Sequence, residues 1–467
     1  MLATGWKALA EYRSVGFKHL RPLTLSSILQ ETQVMRLKFL ITLAAAALLL
    51  GSAPALADEI QGRIQEMSRI AGTIQVDVSG QDPVVVRFDD NTQFIEADGI
   101  GDLSGNDLVK VTFEPGQPAT SIEKIIFALP DGMEISTDEL LAFMTGDEPF
   151  TLVDARPAGP FSAATIPSSV NAFPNADDFL GQLTAAAPNK DELVIFYCGG
   201  PTCPHTGTAI GHAQEAGYTN IKGYQPGTPA WRRAQLPMHS DPAWLAERLN
   251  PGHVVIDTRN QITAMRGHLP TAVTMPAANF EALTETFIAE ERQARMPGVS
   301  DRRAPIILYS DGHANQDVLV AYRELASWGY RNISILKDGF EGWEAAGKPT
   351  ESNALALSIN YVRQLPPGAI APEAFAAMEF PDDAIQLVDV RSDDEISAGM
   401  IAGAVHAPLD RLEAMMDDLD KSKPVILHCA TGVRAEMGYR TLNAAGFDVQ
   451  YVNVEMEVMS DGSFRIL

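Results

Sequence analysis

The chain of 467 residues predicts an α/β fold: three successive domains with mainly parallel sheets, preceded by a small all-β module, an OB-like barrel. Three observations predict it. First, a short apolar run ending in Asp-x-Arg occurs three times, as Leu152-Val-Asp-Ala-Arg156, Val255-Ile-Asp-Thr-Arg259 and Leu387-Val-Asp-Val-Arg391. Second, each unit leads to a helical stretch that closes on Gly and an aromatic residue, at Gly217-Tyr218, Gly329-Tyr330 and Gly446-Phe447. Strands alternating with helices at a repeating interval imply parallel sheets in repeated domains. Third, the segment before the first repeat has only short alternating runs with turn residues between them, which is a β pattern.

In chain order, residues 1–34 read as an upstream extension before a plausible start at Met35. Residues 35–57 read as an export signal: a basic Met35-Arg-Leu-Lys38, an apolar Phe39 to Leu50 and a small-x-small Ala55-Leu-Ala57. The apolar stretch is too short for a comfortable membrane span, so the mature chain is expected in the periplasm or outside the cell, with no membrane contact after cleavage. The β module covers 58–130, with strands expected at Thr73–Val78, Val84–Phe88 and Leu108–Phe113 and turns at Asp89–Asn91 and Gly99–Asn106. Domain one, 135–240, opens at the capping-box pattern Ser136-Thr-Asp-Glu139. Domain two, 241–352, opens at Asp241-Pro242, an N-cap followed by a first-turn proline. Domain three spans 355–467, and within it Pro366-Pro-Gly368 precedes the first helix, expected at Pro372. It ends in a short hairpin around Asp461-Gly462. Trp231 and Trp343, at the ends of repeats one and two, read as packing residues.

The net charge is −25 for the whole chain and −29 once residues 1–57 are removed. Such acidity excludes nucleic acid and anionic membrane surfaces as partners. It also makes any anion site depend on local geometry.

One segment has that geometry: Pro424-Val-Ile-Leu-His-Cys-Ala-Thr-Gly-Val-Arg434. An apolar strand ends at Cys429, and a Gly-containing loop closes on Arg434 as a helical pattern begins at Ala435. A loop feeding a helix N-terminus turns backbone N–H groups inward, which favours an anion and hence a thiolate. Cys429 and Arg434 are therefore the candidate catalytic residues. Ala430, Thr431, Gly432 and Val433 form the candidate substrate cradle. The alternative is an inert buried cysteine at a strand end.

The tyrosine-phosphatase signature places five residues between Cys and Arg, and here there are four. The segment resembles the active-site loop of rhodanese sulfurtransferases, in which the cysteine carries sulfur as a persulfide. Asp389, Arg391, Glu395, Gly399, Ile401, Gly403, Ala404 and Pro408 extend the resemblance, while Met400 stands where the family usually has His. The resemblance implies that Asp389 and Arg391 are a structural pair. It implies three tandem rhodanese-like domains, two of them degenerate. It also implies sulfane sulfur moving from a donor such as thiosulfate to a thiol or cyanide acceptor without a cofactor.

The repeats differ at the reactive position. Repeat two has Ile306-Ile-Leu-Tyr-Ser310, and a serine cannot form a persulfide. Its His313 reads as a loop or surface residue. Repeat one has Cys198-Gly-Gly-Pro-Thr-Cys203-Pro-His205 and no arginine. Three readings stand for Cys198 and Cys203: a persulfide resolved as a disulfide, a static disulfide suited to an oxidising compartment, or a soft-metal site with His205. The last donor set is incomplete, and no metal is expected. Pairing Cys198 with Cys203 leaves Cys429 as the odd, reactive thiol. Two other classes of function compete with the enzyme. One is a non-catalytic assembly protein presenting rhodanese-like surfaces to a periplasmic partner. The other is a thiol–disulfide oxidoreductase working through Cys198 and Cys203.

Overall fold

The structure is a computed structural model that describes residues 57–467 except 70, 71, 82, 115, 353 and 467. The expected upstream extension and export signal therefore lie outside the described residues, apart from Ala57. Among the described residues no helix is long and apolar enough to cross a membrane.

The N-terminal module is built from β1 (Asp58–Ser68), β2 (Thr73–Asp77), β3 (Val84–Arg87), β4 (Gln93–Ile95), β5 (Leu108–Phe113) and β6 (Ala119–Lys124). Their order across the sheet is β3-β2-β1-β5-β6-β4, antiparallel except for the β4–β6 pair. Alternation along β1, β2 and β5 puts Ile64, Ile74, Val76, Val109 and Val111 on one dry face, where Ile122 of β6 joins them. The all-β reading holds. Barrel closure does not follow, because no ladder joins the end strands β3 and β4 among the described residues.

Three parallel sheets follow. Domain one has β7 (Phe150–Asp154), β8 (Val170–Asn171), β9 (Leu193–Tyr197) and β10 (Ile221–Tyr224), in the order β10-β9-β7-β8. Domain two's sheet has β11 (His239–Ser240), which lies just before the expected boundary at 241, with β12 (Val254–Asp257), β13 (Val273–Thr274), β14 (Ile306–Tyr309) and β15 (Ile333–Leu336), in the order β11-β15-β14-β12-β13. Domain three has β16 (Ala369–Ile370), β17 (Gln386–Asp389), β18 (Val405–His406), β19 (Val425–His428) and β20 (Val449–Val452), in the order β16-β20-β19-β17-β18. Central strands such as β12, β14 and β19 are buried along their whole length. This is why they read as unbroken apolar runs: helices cover both faces of a parallel sheet.

The expected start signals act as read. Ser136 and Glu139 close a reciprocal capping box on the helix Thr137–Thr145. The Asp241 carboxylate accepts the N–H groups of Ala243 and Trp244 ahead of the helix Pro242–Ala246. The helix Pro372–Ala376 opens at its proline. In repeats one and two, the helices Gly227–Arg233 and Gly339–Ala345 follow the sheet's last strand. Each buries a tryptophan whose indole N–H donates to a carbonyl six residues on, Trp231 to Pro237 and Trp343 to Pro349. Domain three instead carries the expected hairpin, β21 (Met456–Val458) and β22 (Phe464–Ile466). Phe464 of β22 packs against Phe375 and Phe380.

Candidate active site

The Asp-x-Arg units fix the ends of the central strands. Arg156, Arg259 and Arg391 each hold the aspartate two residues before them, with closest nitrogen–oxygen distances of 2.5, 2.8 and 2.6 Å. Each also donates through Nη2 to a carbonyl eight residues on, at Ala164, Gly267 and Gly399. The aspartates are fully buried, so each charge needs its partner. Asp389 and Arg391 are thus a framework pair that ties β17 to the turn behind it. Burial would raise the Asp389 pKa, but the hydrogen bonds from Arg391 outweigh it and hold the carboxyl below its ordinary value.

Cys429 follows directly on β19 and is fully buried. Its sulfur faces the backbone N–H of Gly432 at 3.1 Å and of Thr431 at 3.5 Å. The helix Val433–Ala444 starts two residues earlier than the Ala435 expected from sequence, with Gly432 as its N-cap at φ 91°. The left-handed turn at Gly432 is what aims these N–H groups back at the sulfur. A methyl group there would lie 2.6 Å from Asn453 Cα and 2.9 Å from the Val452 carbonyl. From the other side, Met456 N–H donates to Ala430 O at 2.8 Å. The hairpin that replaces the tryptophan helix therefore clamps the loop that carries the thiol.

Arg434 lies at the loop's far end, and its guanidinium is committed to Glu395. Nη1 and Nη2 reach the two carboxylate oxygens at 2.5 and 2.7 Å. Burial alone would lower the Arg434 pKa, but Glu395 and the neighbouring Cys429 sulfur raise it. Glu395 also accepts the N–H and hydroxyl of Ser392. Burial pushes its carboxyl up, yet Arg434 and Ser392 together bring it down to about 2. The arginine thus closes the loop by an ion pair. Glu395 was legible only as part of the sequence pattern, since Arg434's partner lies 39 residues upstream.

His428, directly before the thiol, carried no role in the sequence. Its ring is fully buried 3.6 Å from Asp389, and neither nitrogen has a hydrogen bond among the described residues. Burial lowers its pKa to about 4, so it is neutral. Tyr197 and Tyr309 occupy the same strand-end position in repeats one and two. There the hydroxyls donate to Asp154 and Asp257 at 2.9 Å. The signal was present in the aligned repeats: the residue before the reactive position meets the aspartate of the neighbouring strand.

The other two loops are built differently. In repeat two, Ser310 is buried, and its hydroxyl has no hydrogen-bond partner among the described residues. His313, 40 % exposed, pairs with Asp338. In repeat one, Cys198 and Cys203 form a disulfide. Cys203 stands five residues after Cys198, as Arg434 does after Cys429, so the bridge takes the place of the arginine closure. His205 Nδ1 lies 3.8 and 3.6 Å from the two sulfurs. Burial first, and Arg63 second, lower its pKa. The three side chains form a cluster that could hold a metal ion only with the disulfide opened.

Comparison with known proteins agrees with the threefold pattern. A family model described as "Rhodanese-like domain" matches residues 136–234, 241–346 and 372–457. The chain is 36 % identical over 73 residues to a putative sulfurtransferase, YtwF, of Bacillus subtilis, covering 14 % of this chain and 71 % of that protein. It is 28 % identical over 268 residues to a putative thiosulfate sulfurtransferase of Synechococcus elongatus, covering 46 % of this chain and 80 % of the relative. Among solved structures, a thiosulfate sulfurtransferase from Pseudomonas aeruginosa matches at 19 % identity and a TM-score of 0.20, covering 68 % of this chain and 66 % of that one.

Proposed function

The chain belongs to the rhodanese-like domain family, and on that premise we propose that domain three moves sulfane sulfur through a persulfide on Cys429. The carrying observation is the Cys429 sulfur facing two inward backbone N–H groups at a helix start. In the first step the Cys429 thiolate attacks the outer sulfur of a donor such as thiosulfate. The donor's S–S bond breaks, and sulfite leaves with the electron pair. In the second step a nucleophile, cyanide or a thiolate, attacks the outer sulfur of the persulfide, and Cys429 departs as the thiolate. The N–H groups of Thr431 and Gly432 stabilise the sulfur anion in both steps. Arg434 is a positioning residue, held by Glu395, that keeps the loop closed. Domains one and two serve as scaffold, because one has a disulfide and the other a serine at the reactive position. The basic-then-apolar N-terminus supports export to the periplasm.

Intact-mass measurement after exposure to thiosulfate tests the reading. The wild type is expected to gain one sulfur atom, and Cys429→Ser is expected to gain none. A gain that survives in the variant would move the chemistry to repeat one. The formed Cys198–Cys203 bridge with His205 beside it supports a second reading, thiol–disulfide exchange. A reduction potential in the range of catalytic disulfides would favour that reading; a much lower one would mark a structural staple.

A further inference from the structure

We infer that Cys198, Cys203 and His205 form, once their disulfide is reduced, a three-coordinate site for cuprous copper in domain one. The donor atoms converge: the two sulfurs and a ring nitrogen of His205 all lie within 4.8 Å of one another. His205 opens the helix His205–Glu215, and its ring stands edge-on to Phe173 with centroids 5.0 Å apart. The imidazole is therefore held in place by helix and ring contact, independently of the S–S bond. The loop between the cysteines also has supports besides that bond. The Pro201 carbonyl accepts the N–H of Phe127 at 2.9 Å. Thr202 is buried, its hydroxyl donating to Asp107 at 3.4 Å and its carbonyl accepting from Arg63 Nη2 at 3.5 Å. The N–H of Cys203 donates to the Gly200 carbonyl, and that of Thr228 to the Cys198 carbonyl. Reduction thus leaves both thiols beside the imidazole. Their Cα atoms are 6.2 Å apart, so side-chain rotation is enough to part the sulfurs to the roughly 4 Å that two metal–sulfur bonds of about 2.3 Å span.

The donor chemistry selects the ion. Two thiolates and an imidazole suit cuprous copper and zinc among the common metals. Structural zinc takes four protein ligands, and no further His, Cys, Asp or Glu joins this cluster among the described residues. Cuprous copper is satisfied by three soft donors, so a set that is incomplete for structural zinc is complete for it. Two thiolates and one monovalent cation leave a single negative charge, and the Arg63 guanidinium beside the loop offsets it. Both cysteines are buried and His205 is half-buried, which leaves the imidazole side as the way in. The disulfide gates the site. A dithiol reductant passes two electrons and two protons to the S–S bond, which breaks to two thiols while the reductant closes to its own disulfide. Cuprous copper then displaces the two thiol protons and keeps its oxidation state. Bridge and metal exclude each other, because each uses both sulfurs.

The test uses the full chain carrying Cys429→Ser, which removes the third thiol as a competing ligand. The protein is reduced, desalted without oxygen and titrated with cuprous copper against bicinchoninate, a chromophoric cuprous chelator. One equivalent is expected to pass from the chelator to the protein, and the copper X-ray absorption spectrum is expected to show two sulfurs and one nitrogen. The disulfide-bonded form of the same protein, a comparison that needs no further substitution, is expected to take none. In that background His205→Ala is expected to weaken binding by about tenfold or more, and Cys198→Ser with Cys203→Ser to abolish it. Copper left wholly on the chelator, equal uptake by the reduced and disulfide-bonded forms, or a spectrum with sulfur alone overturns the inference.

Discussion

Gly432 and Glu395 carry the residue-scale consequences. Gly432 sits at φ 91° with Asn453 against it, so any side chain there meets both a left-handed backbone and a wall. Gly432→Ala is expected to destabilise domain three by about 1–3 kcal/mol and to lower sulfur transfer by more than the fold loss explains, since the N–H groups lose their aim. Urea unfolding beside steady-state turnover checks it, and full activity in the variant would show that the loop tolerates another path. Glu395→Gln leaves the buried Arg434 guanidinium with a neutral partner. The expected loss is about 3 kcal/mol, the scale for breaking a buried ion pair. An unchanged unfolding midpoint would mean that water replaces the carboxylate. Cys429 itself was legible in sequence, because strand, loop glycine and helix start are consecutive in the chain. The partner of Arg434 was not, because an ion pair across 39 residues leaves no local pattern.

At the scale of the element, β19 and its counterparts β9 and β14 pose one problem and solve it twice. Each must place a polar group beside a buried aspartate. Tyr197 and Tyr309 do so with a hydroxyl donor, whereas His428 sits neutral and without a hydrogen bond among the described residues. The sign of the pH effect follows. The unfolded chain binds a proton at this histidine below its ordinary value of about 6.5, and the folded chain does so only below about 4. Over that window the unfolded state holds more protons, so stability falls as pH falls from about 6.5 to about 4. His428→Tyr is expected to flatten that slope, removing up to about 3 kcal/mol of pH dependence. Unfolding free energies of both proteins across the window decide it, and identical slopes would show that His428 protonates in place. Glu395 acts lower. Its stabilisation is complete above about 4.5 and is lost as pH falls toward about 2, so the two contributions separate along the pH axis.

Over the whole molecule, each parallel sheet has its own dry core, and the disulfide staples only the loop of domain one. Replacing Cys198 and Cys203 together with Ser is expected to cost about 2 kcal/mol in that domain, the entropy of a short closed loop. Cys429 turnover with cyanide should stay within twofold. A collapse of turnover would tie the first domain's loop to the third domain's chemistry. The sequence by itself determined the threefold α/β repeat, the strand-end aspartates, the caps at Ser136 and Asp241 and the inequality of the three loops. Each of these depends on residues near in the chain, whose periodicity and spacing are physical constraints on local backbone. Only the tertiary structure decided that Arg434 answers to Glu395. It also decided that Thr202, in the loop between Cys198 and Cys203, meets Arg63 and Asp107 of the β module. Those are meetings of distant segments, fixed by how the sheets and the β module pack, and no local pattern encodes them.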